Sequence, residues 1–262
     1  MATTTTPFPF RTALVTGASS GIGEELTRRL AADGVSVAVV ARRTDLLEQL
    51  ATELAGVEVI TADLGARRGQ DDVVDRITDP DRPIDLVVNN AGFGTSGAFV
   101  DLDADRLAAE IELNVAALTR ISHAALSVMV PRRRGWLLNV SSVASFQPAP
   151  RLAVYAATKA YVTSLTESLH EEARGSGVHV TALCPGLTRT EFQSVSSSEH
   201  YAEQFPDFVW TAVEDVAAEG LKAVVKNRAL AVPGPAYKAF VGAASVTPRW
   251  LLRAASARVQ RR

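Results

Sequence analysis

Seven short apolar runs punctuate the chain: 12–17 (TALVTG), 35–41 (VSVAVVA), 57–63 (VEVITAD), 84–92 (IDLVVNNAG), 135–142 (GWLLNVSS), 178–186 (VHVTALCPG) and 229–234 (ALAVPG). Most are almost continuously apolar instead of alternating. That is the pattern of strands covered on both faces, as in a parallel sheet. Between them lie stretches such as GIGEELTRRLAADG and DADRLAAEIELNVAALTRISHAALSVMV, with apolar residues three and four apart. This spacing predicts helices, among them one over 103–130 and one over 152–174. Strand–helix alternation repeated this often predicts an α/β fold: a doubly wound parallel sheet of about seven strands with helices on both faces, in three α/β/α layers. Neither an internal repeat nor a low-complexity linker divides the chain, so residues 10–235 read as one domain and 236–262 as an extension of it.

In such Rossmann-type sheets ligands bind beyond the carboxyl ends of the strands. Gly17, Asp63, Asn89, Ser142 and Pro185 fall there. The first run enters TGASSGIG (16–23) and then a helical pattern. Glycines 17, 21 and 23 permit a tight turn and close approach of a phosphate, while the amides opening the next helix favour an anion. The spacing is G-x-x-x-G-x-G, which departs from the commoner G-x-G-x-x-G fingerprint. At the end of the second run a carboxylate would accept from the ribose hydroxyls of NAD. Arg42 and Arg43 stand there instead, and guanidinium suits a 2′-phosphate by charge and by fork geometry. The expected cofactor is therefore NADP(H) in preference to NAD(H).

The fifth run ends in NVSS (139–142), and Tyr155 and Lys159 follow four apart on a predicted helix. A phenol, with a pKa of about 10, is a poor base at neutral pH. A neighbouring ammonium is expected to draw Tyr155 toward phenolate, and the Ser142 hydroxyl can hold a substrate oxygen as charge builds on it.

Bulk composition narrows the classes. With 47% hydrophobic and 21% charged residues, the chain is expected to fold as a globular domain. A net charge of −2 gives no general attraction to nucleic acid. Cys184 is the single cysteine and the four histidines are scattered, so neither an internal disulfide nor a metal centre is expected. Cys184 itself reads as core. No signal-peptide pattern and no run of about 18 apolar residues is present, and the expected location is the cytoplasm.

Taken together, TGASSGIG, NNAG (89–92), the asparagine of ELNV, the serine of NVSS, YAATK (155–159) and CPGLTRT (184–190) resemble the short-chain dehydrogenase/reductase family, in its order and approximate spacing. The resemblance covers roughly residues 10–235. It implies a catalytic set of Asn114, Ser142, Tyr155 and Lys159. Tyr155 would be the general acid/base, and Ser142 would orient the substrate oxygen. Lys159 would bind the nicotinamide ribose and lower the Tyr155 pKa, and Asn114 would hold a water linking Lys159 to solvent. It also implies cofactor contacts from Gly17, Ser19, Ser20, Gly21, Ile22, Gly23, Asp63, Leu64, Asn90, Ala91, Gly92, Pro185, Gly186, Thr188 and Thr190, besides Tyr155 and Lys159. Ser141 is read as a cofactor-side hydroxyl, with Ser142 the catalytic one by its spacing to Tyr155.

The expected reaction is hydride transfer between NADP(H) and a small-molecule carbonyl or secondary alcohol. The alternatives are an NADP-sensing or scaffold protein on the same fold, and epimerisation with bound cofactor. Segment 190–212, with Phe192, Tyr201, Phe205, Phe208 and Trp210, reads as a lid with an apolar inner face, which favours an apolar substrate. The resemblance further implies a homodimer, with a tetramer as the alternative. From residue 220 to 262 the chain carries nine basic residues and no acidic one. The end, PRWLLRAASARVQRR, is expected to form an amphipathic basic helix suited to covering a second interface or touching an anionic membrane surface.

Overall fold

A computed structural model describes residues 8–196 and 206–259. Seven parallel strands form one sheet in the order β3-β2-β1-β4-β5-β6-β7: β1 (Thr12–Thr16), β2 (Ser36–Ala41), β3 (Val57–Thr61), β4 (Leu86–Asn89), β5 (Gly135–Val140), β6 (Val178–Leu183) and β7 (Leu230–Ala231). Every predicted run contains its strand, and the observed strands are shorter because the polar tails of the runs leave the sheet. β4 and β5 are buried along their whole length, which is why they lack polar alternation.

The helices are α1 (Gly21–Ala32), α2 (Thr44–Glu53), α3 (Arg67–Thr78), α4 (Ala104–Ile111), α5 (Leu118–Met129), α6 (Ala153–Glu172), α7 (Phe192–Val195), α8 (Val213–Val225), α9 (Pro235–Val246) and α10 (Arg249–Val259). One face of the sheet is sealed by Leu26 and Leu30 of α1, Leu47 and Leu50 of α2, and Val216 and Leu221 of α8. The other is sealed by Val73 and Ile77 of α3 and by Ile121, Ala125 and Met129 of α5, with Leu169 of α6 beside them. Each fully buried leucine or isoleucine contributes about 1.5–3 kcal/mol. The two cores make the predicted three layers.

The predicted helix 103–130 is not uniform. Between α4 and α5 the chain widens into a π-helical turn, Glu112–Ala117. Its centre is Asn114, whose amide nitrogen donates to Phe93 O (2.8 Å) and Thr158 Oγ1 (3.1 Å) and whose Oδ1 accepts from Phe93 N (3.1 Å). These ties lie outside the helix, so its own periodicity carries no sign of them. Such bulges occur often at functional sites.

Strand order reverses between β1 and β4, and the crevice opens there, above the carboxyl ends of both strands.

Candidate active site

The turn after β1 is fixed by close approach. A Cβ on Gly23 would lie 2.3 Å from Gly17 O, and one on Gly17 (φ +66°) would meet Asn90 Nδ2 at 2.8 Å and Ala91 Cα at 2.9 Å. No larger residue fits either position without moving backbone. Asn90 Nδ2 donates to Thr16 O (2.9 Å) and Gly17 O (3.1 Å), and Asn90 N and Ala91 N both donate to Thr16 Oγ1 (3.0 Å). The Asn90 side chain thus braces the glycine turn. Ser19, Ser20, Gly21 and Ile22 follow on the rim of the crevice, half-buried at the start of α1.

At the end of β2, Arg42 is exposed and Arg43 is engaged. The Arg43 guanidinium donates to Ser19 Oγ (3.0 Å) and Ser20 Oγ (2.9 Å) and pairs with the Glu191 carboxylate at 2.8 Å. Hydrogen bonds from Arg43 and Ser20 hold Glu191 below the usual carboxylate range. A carboxylate already sits among donors suited to an anion, so this corner fits a phosphate group. Asp63 lies exposed beyond β3, where its Oδ1 accepts from Gly65 N (3.0 Å), and Leu64 is buried beside it.

Behind the crevice, Asn89 Nδ2 donates to Asn139 Oδ1 (2.9 Å) and Ser122 Oγ (3.0 Å), and Asn139 Nδ2 donates to Thr166 Oγ1 (3.0 Å). This chain of buried amides and hydroxyls ties β4, β5, α5 and α6 together. Ser141 belongs to it in kind. Its hydroxyl donates to Lys159 O (2.8 Å) and pairs with Thr163 Oγ1 (2.7 Å), and it is buried. The cofactor-side role expected of Ser141 is therefore corrected: the β5–α6 contact consumes its polar atoms.

Ser142, Tyr155 and Lys159 converge as expected. Ser142 opens a short 3₁₀ turn after β5, and its Oγ accepts from Ala144 N (3.1 Å). The Tyr155 phenol is within hydrogen-bonding reach of that hydroxyl. The Tyr155 ring lies on Phe192 of α7, centroids 5.3 Å apart. A Cβ on Gly94 would touch the same ring at 3.1 Å, so the loop after β4 forms one wall. Lys159 is only 5% exposed; its Nζ donates to Val140 O (2.9 Å) and lies 5.8 Å from the Tyr155 ring centroid. Asn114 joins this group through Thr158, whose hydroxyl donates to Tyr155 O (2.8 Å). A Cβ on Gly92 would lie 2.8 Å from Asn114 Oδ1 and 3.6 Å from Lys159 Nζ.

The electrostatics differ from expectation. Burial pushes the Tyr155 phenol up to about 12, against the Ser142 hydroxyl, which favours the ionised form. Burial also brings the Lys159 ammonium down to about 8. Desolvation is the largest cause for both: the ammonium turns toward the Val140 carbonyl and the ring sits in an apolar wall. Burial thus favours the phenol, the proton-donating form of Tyr155.

Beyond β6, Pro185 is buried and Gly186 packs under Tyr237 of α9, where a Cβ would meet the ring at 2.0 Å. The Tyr237 hydroxyl donates to Val209 O (2.8 Å) and accepts from Leu187 N (3.0 Å). Thr188 is buried, and Thr190 lies 3.0 Å from where a Gly21 Cβ would stand, so this segment passes over the glycine turn. Ser196 then docks it on the opposite wall: its Oγ accepts from Gly94 N (2.9 Å) and its carbonyl from Ser96 N (3.2 Å). Of the expected aromatic face, Phe192 touches Tyr155, and Trp210 stacks under Arg189. Tyr201 and Phe205, and the side chain of Phe208, lie outside the described residues.

The sequence reading passed over Glu110. It is fully buried one helical turn before Asn114. The signal was present, because Leu107, Glu110, Asn114 and Ala117 recur at three and four spacing and all four are buried. An acid on such a stripe is conspicuous.

Comparisons with known proteins agree with this geometry. The model of the family described as short chain dehydrogenase matches residues 11–200. An uncharacterized oxidoreductase of Myxococcus xanthus is 39% identical over 193 residues, 72% of this chain and 76% of that protein. Among solved structures, a short-chain dehydrogenase from Sphingobium yanoikuyae in complex with NADPH superposes with a TM-score of 0.81 at 32% identity, covering 89% of this chain and 93% of that one. The bulky-bulky ketone specific alcohol dehydrogenase from Comamonas testosteroni superposes at 0.76 with 29% identity, covering 93% and 96%. The chain belongs to the short-chain dehydrogenase family of oxidoreductases. Among the described residues, no group of side chains is arranged to hold a metal ion, and no helix is long and apolar enough to cross a membrane.

Proposed function

We propose that the protein is an NADP(H)-dependent carbonyl reductase acting on a rather apolar ketone or aldehyde. The observation that carries the reading is a half-buried Tyr155 phenol beside the Ser142 hydroxyl, with Lys159 behind it and an apolar wall, Phe192, in front. Arg43, Ser19 and Ser20 would hold a 2′-phosphate where the Glu191 carboxylate now lies, and the glycine turn with Thr190 would hold the pyrophosphate. The NADPH-bound relative supports this choice. When bound, the cofactor supplies the hydride.

The chain's own residues do the remaining work. Ser142 holds the substrate oxygen by a hydrogen bond. Tyr155, kept protonated by burial, passes its phenolic proton to that oxygen as negative charge develops there. Lys159, at about 8, is charged at neutral pH, so it stabilises the phenolate that remains. Asn114 fixes the π-helical turn behind them. The apolar wall of Phe192 and Gly94 excludes water and favours a substrate with a large apolar substituent, in line with the ketone preference named for the relative from Comamonas testosteroni. Residues 190–212 are read as the lid, of which 197–205 lie outside the described residues. The test is NADPH consumption over a panel of aryl and alkyl ketones. Turnover by the unmodified protein and its loss in Tyr155→Phe are expected, and substantial turnover by that variant would overturn the assignment.

For assembly, the reading is a homodimer through the faces of α4, α5 and α6, where Ile111 of α4 and Tyr161 of α6 are exposed and Tyr161 bonds Thr119 of α5 (3.0 Å). α10, with Trp250 and Leu251 exposed beside Arg249 and Arg253, would limit further association.

A further inference from the structure

α9 lies in the extension beyond β7, yet it is built into the wall of the crevice. It packs on the 3₁₀ turn Val143–Phe146 that Ser142 opens. Tyr237, Phe240 and Val241 of α9 share one apolar cluster with Val143, Phe146 and Cys184. The Tyr237 ring lies so close over Gly186 that no side chain fits there, so the fold itself requires that glycine. The Tyr237 hydroxyl joins two segments far apart in the sequence. It accepts from Leu187 N (3.0 Å) and donates to Val209 O (2.8 Å). The same segments meet again where Thr211 N donates to Leu187 O (2.9 Å) and Thr188 forms a bridge with Thr211. Burial raises the Tyr237 pKa, so at neutral pH the hydroxyl keeps the proton it donates.

From Leu187 the constraint spreads in both directions. Toward the serine, Pro185 O accepts from Val143 N (2.9 Å), the neighbour of Ser142. Toward the glycine turn, Gln193 holds the next residues: its Nε2 donates to Thr188 O (2.8 Å) and its Oε1 accepts from Thr190 N (3.2 Å). Thr190 stands over Gly21, and Phe192 lies on the Tyr155 ring. A position needed only to fill the cluster would carry a phenylalanine, as residue 240 does three places on.

We propose that Tyr237 is a positioning residue for the cofactor: its hydroxyl fixes the backbone of residues 186–190 where NADP(H) binds, so that the extension sets cofactor affinity. The inference rests on the NADP(H) reading of that segment. Without the hydroxyl, Leu187 N and Val209 O lose their partner, and the contacts of Thr211 are left to hold the segment. The fixed backbone and the bound cofactor favour each other by one and the same factor.

Tyr237→Phe keeps the ring over Gly186 and removes the hydroxyl. The NADPH dissociation constant, followed by nicotinamide fluorescence, should rise about three- to tenfold, the loss expected for a hydrogen bond of ordinary strength. With a ketone that the unmodified protein reduces, the KM for NADPH should rise by a similar factor while kcat stays within about twofold, because the groups that move the proton are untouched. A merely structural tyrosine would give a variant that melts lower and binds NADPH as before, and that result overturns the proposal. Lys238→Ala is the control on the same helix; its side chain is exposed and pairs with Glu219 at 3.5 Å. It should leave NADPH affinity in place, and an equal loss there would assign the effect to the helix as a whole and overturn the role of the hydroxyl. Should Tyr237→Phe not fold, hydrogen exchange in the unmodified protein decides. Saturating NADPH should slow the Leu187 and Thr211 amides about three- to tenfold by reciprocity, and unchanged exchange with NADPH bound overturns the proposal. Failure of the cofactor reading shows separately: an unmodified protein that does not bind NADPH removes both, whereas an affinity unmoved by Tyr237→Phe removes the positioning role alone.

Discussion

Two buried polar groups lie within a few residues of each other and are built on opposite terms. The interior chain of Ser122, Asn89, Asn139 and Thr166 is almost fully paired, with Asn89 Oδ1 its one unpartnered atom. The buried groups of α4, α6 and the loop after β4 are poorly paired. Among the described residues Glu110 and Thr95 have no hydrogen-bond partner of ordinary geometry, and Lys159 has one backbone carbonyl. Paired groups specify a structure and titrate little. Unpaired ones cost stability and keep free atoms and shifted acidities for chemistry. The contrast separates scaffold from site without reference to any relative.

The sharpest way to break this contrast is to remove one member on each side. Tyr155→Phe should lower turnover by about 10²–10⁴-fold, the range for loss of a general acid, while unfolding in denaturant stays within about 0.5 kcal/mol of the unmodified protein. Asn139→Ala should do the reverse. It strips partners from Asn89 and Thr166 and should cost about 2–3 kcal/mol in a urea titration, with the rate per folded molecule retained. If Asn139→Ala instead abolished turnover at unchanged stability, the division would be wrong.

The corner at Arg43 lies between these extremes, half-exposed and paired, and it sharpens the comparison. Arg43→Ala should weaken NADPH by about 1.5–3 kcal/mol, roughly ten- to hundredfold, and NADH much less; equal losses for the two cofactors would rule out a phosphate role. Glu191→Gln should act in the opposite sense and more weakly. The Arg43–Glu191 pair is about half exposed, with side-chain exposures of 44% and 52%, so releasing it should tighten NADPH at most about fivefold by calorimetry. A weaker NADPH complex would mean that Glu191 assists the cofactor instead of competing with it.

The sheet was legible in the sequence because parallel strands buried on both faces leave continuous apolar runs, and all seven were visible, even β7, which keeps only Leu230 and Ala231. The glycine turn was legible because backbone contact leaves no other residue possible at Gly17 and Gly23. Tyr155 and Lys159 were legible through the order of motifs that resemble the family, since a spacing of four is too common to single out a pair by itself. What stayed hidden depends on atoms brought from elsewhere in the chain. Asn114 opens the π-helical turn through Phe93 and Thr158, and Ser141 is claimed by α6 through Lys159 O. Between two adjacent arginines, only the fold decides that Arg43 meets Ser19 and Ser20 while Arg42 faces solvent. The acidity of Tyr155 was expected to shift the other way, because spacing reveals a neighbouring charge but not how dry the surroundings are.

Cys184 turns the end of β6 into a clock. Its thiol is fully buried and pushed up to about 12 by desolvation, its amide donates to Ala231 O (2.7 Å), and its sulfur lies 3.9 Å from Thr163 Oγ1. A thiol so placed is inert while the strand is seated and reacts only when the edge of the sheet lifts. Because the chain has no second cysteine, the labelling rate with a thiol reagent times one event, the parting of β6 from the two-residue β7. Each opening that would loosen the floor beneath Pro185 leaves a permanent chemical mark on a single sulfur atom.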